Sequence, residues 1–158
     1  MFDDNEILKD SSAVTSTGNG TVGGEAKVLE VGDGLVQSDL VLDVDAIAIK
    51  GGPTKDNEYQ IHVMGGSDSS FTEEVSLAAL HLGSLGVIPD NIDCKEGQYI
   101  LPFRNEKRGR VYSHIRVKHV IAGTASSINY NARLENMYAK TGVTQSPQTV
   151  VTTTTVAG

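Results

Sequence analysis

Ser126-Ser127-Ile128-Asn129-Tyr130-Asn131-Ala132-Arg133-Leu134-Glu135-Asn136-Met137-Tyr138 decides the fold class. Ile128, Tyr130, Ala132 and Leu134 fall on one side of an extended chain, and Asn129, Asn131, Arg133 and Glu135 fall on the other. Successive side chains of a strand point to opposite faces, so this alternation reads as a β-strand with one face buried and one face wet.

Further strands follow from the same pattern. Val111–Ala122 places Val111, Ile115 and Val117 inward and Arg116 and Lys118 outward. Gln98–Phe103 reads as another strand, and Tyr59, Ile61 and Val63 define one with Gln60 and His62 on its other face. In Asp39–Ile49 the residues Leu40, Leu42 and Val44 alternate with Val41, Asp43 and Asp45, and beyond Asp45 the apolar phase shifts to Ile47 and Ile49. A β-bulge produces such a shift. Ala26–Val31 and Ser12–Thr17 complete the series. Phe71–Leu82 is ambiguous: Ser70-x-x-Glu73 has the form of a capping box, while Val75, Leu77, Ala79 and His81 fit a strand buried on both faces. The β surroundings favour strand. About eight strands joined by glycine-rich turns predict an all-β fold, a jelly-roll-like antiparallel β-sandwich.

The chain of 158 residues has the length of one domain. The expected layout is an N-terminal arm over 1–11, the sandwich over 12–140 and a C-terminal arm over 141–158. That last segment carries no charged residue and seven threonines. Val150-Val151-Thr152-Thr153-Thr154-Thr155-Val156 has strand propensity without an evident partner, so Val150, Val151 and Val156 are candidate interface residues.

Twenty acids against 13 bases give a net charge of −7, which disfavours binding to a phosphate backbone; no nucleic-acid partner is expected. Trp is absent and aromatics are 5%, too few for a broad sugar- or base-stacking platform. No apolar run approaches the ~20 residues of a membrane span, and Met1-Phe2-Asp3-Asp4 is acidic where a secretory signal would be basic. Cys94 stands alone, which excludes an intramolecular disulfide and suits synthesis in a reducing cytoplasm.

The motifs for chemistry are weak. Gly18-Asn19-Gly20-Thr21-Val22-Gly23 matches G-x-G-x-x-G, but a strand follows it where a dinucleotide site needs a helix, so it reads as a loop. His114 and His119 are five apart and would face opposite ways, which does not suit a shared metal; His62 and His81 also lack a partner at ligand spacing. Asp43 and Asp45 share a face of an ideal strand and would form at most a carboxylate pair. No catalytic, cofactor or metal residue is therefore assigned. Arg104-Asn105-Glu106-Lys107-Arg108-Gly109-Arg110 is the one concentrated basic segment, and Arg104, Lys107, Arg108 and Arg110 are candidates for contact with an acidic partner surface.

The order of segments resembles the capsid cement, or decoration, proteins of short-tailed double-stranded DNA bacteriophages. The resemblance rests on an opening strand Ser11-Ser12-Ala13-Val14-Thr15-Ser16 and an acid-bearing strand Leu40-Val41-Leu42-Asp43-Val44-Asp45. The amphipathic Tyr59–Gly65 then runs into Ser67-Asp68-Ser69-Ser70-Phe71, followed by Arg110-Val111-Tyr112-Ser113-His114-Ile115-Arg116-Val117 and the closing Ser126–Leu134. It covers about residues 7–138; the polar Gly51–Asn57 and the long 141–158 segment depart from it. The resemblance implies a jelly-roll-like sandwich on the outer capsid face of the virion. It also implies a homotrimer or homodimer bound to the major capsid protein, with no enzymatic activity. Another virion surface or tail β-module, including a glycan-binding one, is the alternative.

Overall fold

The computed structural model describes residues 7–48, 57–83, 96–123 and 126–140. Within them the chain is all-β. In order the strands are β1 (Ile7–Val14), β2 (Gly18–Asn19), β3 (Thr21–Val22), β4 (Glu25–Ala26), β5 (Leu29–Glu30), β6 (Leu35–Ile47), β7 (Glu58–Gly66), β8 (Glu74–Gly83), β9 (Gly97–Arg104), β10 (Glu106–Lys107), β11 (Arg110–Val111), β12 (His114–Ala122) and β13 (Ile128–Lys140).

Two antiparallel sheets form the sandwich. One has the order β1-β13-β6-β9. The other runs β12-β7-β8, with both β2 and β5 on the remaining side of β12. β2 and β5 lie along the same edge of β12, separated by the β3–β4 hairpin, and act as one interrupted strand. Counting them together, the eight strands fall in the order 1-8-3-6 in one sheet and 2-7-4-5 in the other, which is a jelly roll.

The inward faces supply the core. Leu8, Leu40, Leu42, Ala132 and Leu134 from one sheet meet Ile61, Val63, Leu82, Ile115 and Val117 from the other. Each fully buried Leu, Ile or Val contributes roughly 1.5–3 kcal/mol. Tyr59 is buried but keeps its hydroxyl satisfied: it donates to Ala48 O (2.6 Å) and accepts from Ser127 N (3.0 Å), closing one end of the sandwich.

The register of β6 against β13 carries the bulge expected from the phase shift. Val44 pairs with Tyr130 and Ala46 with Asn129, leaving Asp45 as the extra residue, after which Ile47 points inward. Ile49 lies outside the described residues. A second bulge sits at Asn136, whose φ of 55° places it in the left-handed region.

Several boundaries differ from expectation. The first strand begins at Ile7, not Ser12, so residues 7–11, expected in the arm, belong to the sheet; Leu8 and Lys9 are both fully buried. The amine of Lys9 was not expected inside. Gly18–Gly23, read as a loop, holds β2 and β3, and Gly20 packs against the backbone of Leu8. Ala26–Val31 is not one strand but the last residue of β4 and the whole of the short β5. Phe71–Leu82 is indeed a strand from Glu74 on, yet a bulge at Leu77 reverses its phase: Leu80 and Leu82 face inward while Ala79 and His81 are exposed. The apparent capping box is a turn in which Asp68 Oδ1 accepts from Ser70 N and Thr72 N. Val111, expected inward, is exposed in β11 and Tyr112 is buried instead, because a break at Tyr112-Ser113 separates β11 from β12.

Candidate functional site

The basic segment folds as a small hairpin between β9 and β12. Glu106 pairs with Val111 and Lys107 with Arg110, and Arg108-Gly109 form the two-residue turn with φ of 55° and 80°. Positive φ at both positions is the type I′ geometry whose twist matches a hairpin. Gly suits the second position. Arg108 at the first holds a conformation that Asn or Gly adopts more easily, at a cost of about 1 kcal/mol. Glu106 Oε2 accepts from Gly109 N (2.7 Å) and closes the turn.

Asn105, fully buried, roots the hairpin. Its Oδ1 accepts from Val36 N (2.7 Å), and its Nδ2 donates to Gly34 O (3.0 Å) and Tyr112 O (2.9 Å). Its backbone N donates to Val36 O, and its carbonyl accepts from Tyr112 N (2.7 Å). A side chain of this reach with every polar atom used fixes the hairpin to the start of β6.

The flanks are also tied. Lys107 Nζ donates to Ser76 O (2.7 Å) on β8, the outermost strand of its sheet. Arg110 pairs with Glu73 and lies over the Tyr112 ring, 5.3 Å from its centroid. Arg104 Nε pairs with Glu106 at 3.4 Å while largely exposed. Arg108 has no ion pair or hydrogen bond among the described residues. Beside the turn, Val75, Lys107, Arg108, Arg110 and Tyr112 line an open groove of about 300 Å³. So the structure brings Lys107, Arg108 and Arg110 together and sets Arg104 on the other flank, where a second groove of about 380 Å³ is lined by Leu77, Pro102 and Phe103 as well. Val150, Val151 and Val156 lie outside the described residues, as does Cys94.

The outward sheet faces are bound by polar networks. Arg133 bridges Asp43 and Glu135, and Gln98 also donates to Asp43. The hydrogen bond from Arg133 holds the Asp43 carboxyl below its usual range, the opposite of what a general acid needs. On the other sheet Glu74 accepts from Arg116 and Lys118. Burial opposes ionisation of Glu74, but these two cations still draw it below its ordinary value.

His62 links Ser76 Oγ (2.8 Å) and Gln60 Oε1 (3.0 Å), a chain that spacing alone did not reveal because Ser76 comes from the neighbouring strand. Burial keeps the imidazole below its usual pKa, and the neutral Gln60 gives an imidazolium no stabilising charge. Inside the sandwich, Lys9 Nζ donates to the carbonyls of Asp10, Ser12 and Tyr130 at 2.7–2.9 Å and lies 4.3 Å from the Tyr130 ring centroid. Burial brings its pKa down to about 8. His119 Nδ1 meets Tyr130 Oη at 2.9 Å, and burial and Lys9 push its pKa to about 4. Among the described residues no three His, Cys, Asp or Glu side chains converge to hold a metal.

No protein-family model matches the chain, and no curated protein matches its sequence.

Proposed function

We propose that this chain is a capsid cement protein, acting by binding and not by catalysis. It attaches to the outer face of a major capsid protein shell as a homodimer or homotrimer and stabilises a phage head against the pressure of its DNA. The observation that supports this reading is the pairing of jelly-roll strand order, which the resemblance implies, with a cationic hairpin fixed at root and flank. Cement works by multivalency: a small oligomer grips several shell subunits at once, so modest contacts add through effective concentration. A stiff hairpin gives such a contact little ordering cost. Nothing favours the glycan-binding alternative: the exposed large hydrophobics among the described residues are Ile100, Val111 and Met137, none of them aromatic.

The test is co-sedimentation of the purified protein with heads that lack it, followed by cryo-electron microscopy and thermal rupture of the heads. Binding that raises the rupture temperature supports the proposal; protein left in the supernatant at low salt overturns it. Arg104, Lys107, Arg108 and Arg110 reversed together to Glu should weaken binding most at low ionic strength, where exposed charges are least screened. Removing 141–158 should weaken head binding and leave the melting temperature unchanged if Val150, Val151 and Val156 belong to an interaction arm.

A further inference from the structure

The geometry points to the groove beside the β10–β11 turn as a recognition site for the carboxylates of an acidic polypeptide segment, with Arg108 as the residue that reads them. The inference rests on the reading of this hairpin as a contact surface and divides its four cations by role. Lys107 and Arg110 are engaged with β8 and its approach, through Ser76 O and the Glu73 carboxylate. Arg104 is paired, loosely, with Glu106. Arg108 alone among the four has no partner within the described residues, and it stands at the exposed tip.

Its backbone makes the second, independent argument. Arg108 occupies a left-handed position, φ 55°, where Asn or Gly would fold with less strain. Strained backbone clusters where a side chain has a role, and here the side chain makes no hydrogen bond or ion pair with the described residues that would repay the strain. What it offers is a planar fork of donors that matches a carboxylate in bidentate fashion. The hairpin fixes the backbone from which that fork projects, and Lys107 and Arg110 add a positive field on the groove wall. Val75 and Tyr112 give the aliphatic stem of a Glu an apolar floor. The rest of the protein is acidic, so this end is where an acidic partner meets attraction instead of repulsion.

The experiment is a nuclear magnetic resonance titration of the full chain with acetylated, amidated hexaglutamate at low salt, with hexaglutamine as the control. Shifts should centre on Val75, Lys107–Arg110 and Tyr112, vanish with hexaglutamine and weaken with added salt. Arg108→Asn should bind hexaglutamate more weakly, by up to about fivefold, yet melt at or above the wild-type temperature, because Asn relieves the turn. Arg108→Lys should retain part of the affinity. Unchanged affinity in Arg108→Asn overturns the inference, and so does a lower melting temperature, which would make Arg108 structural. Equal binding of a single-stranded oligonucleotide of the same charge also overturns it. Heads separate this idea from the cement reading. Wild type that binds heads while Arg108→Asn binds heads and peptide equally well sinks only the carboxylate site. Wild type that binds peptide but never heads sinks only the cement proposal.

Discussion

Asn105 and Tyr112 are joined twice: Tyr112 N donates to Asn105 O at 2.7 Å, and Asn105 Nδ2 donates to Tyr112 O at 2.9 Å. The two residues thereby clamp the stem of the basic hairpin, and the same amide reaches Gly34 just before β6 and Val36 at its start. Asn105→Asp keeps the shape but replaces a double donor with an acceptor. The carbonyls of Gly34 and Tyr112 would then face an oxygen in a buried site. Each unsatisfied buried group costs about 1–3 kcal/mol, so the variant should lose about 3 kcal/mol or more. Urea unfolding measures this, and a midpoint equal to wild type would show that the clamp carries no stability.

Lys107 has a separate duty. β8 ends its sheet, and its central Val75–Leu80 carries no charge. An uncharged edge strand is a template for pairing with another chain, and lysine beside such an edge is one way proteins blunt it. Lys107→Met removes the donor to Ser76 O and the charge together. Sedimentation velocity should then show species larger than those of wild type, growing with concentration. An unchanged distribution would mean that Lys107 does not guard the edge.

The fold was legible in the sequence where one face is dry and the other wet. Ile128–Glu135 alternates because Arg133 and Glu135 sit on a solvated outer face while Tyr130 and Leu134 meet the core. Even the Asp45 bulge was readable, since an extra residue leaves a phase slip in the apolar pattern. Lys9 was not readable. A buried amine is tolerated only because three backbone carbonyls and an aromatic face converge on it, and backbone acceptors leave no mark in side-chain patterns. The exposure of Val111 was not readable either, because the alternation runs on through Tyr112-Ser113, where the hairpin turns away from the sheet. The four cations of the candidate site were visible as a cluster. Their division into engaged and unengaged was not, because Ser76 and Glu73 come from a segment some thirty residues earlier.

The Phe71 ring lies directly on Gly66, and the Arg116 guanidinium stacks over the ring at 4.0 Å from its centroid. A Cβ at position 66 would overlap the ring. The ring cannot move outward without displacing Arg116, which also pairs with Glu74. Gly66→Ala should therefore cost about 1–3 kcal/mol, the range for overpacking a filled site. Thermal or urea unfolding against wild type decides it, and a neutral variant would show that the Phe71 loop shifts freely.

His119 makes folding stability depend on pH in the mildly acidic range. It is buried against Tyr130, within reach of the field of Lys9, and its pKa falls from 6.5 to about 4. It is a base whose folded pKa is depressed. As pH drops from 6.5, the unfolded chain takes up the proton first, so protons pull the equilibrium toward unfolding. Stability attributable to His119 is full above pH 6.5, declines between 6.5 and about 4, and levels off below. A gap of this size is worth roughly 3 kcal/mol. Asp43 and Glu74, held low by their arginine and lysine partners, add their own losses toward the acid end of this range and below it, as the unfolded carboxylates take up protons. His119→Gln keeps a polar group near Tyr130 Oη and removes the titration. Urea midpoints measured from pH 7.5 to 4.5 should fall for wild type and fall less steeply for His119→Gln, in which His62, also held below its usual pKa by burial, still contributes; parallel curves would show that His119 is not the group responsible.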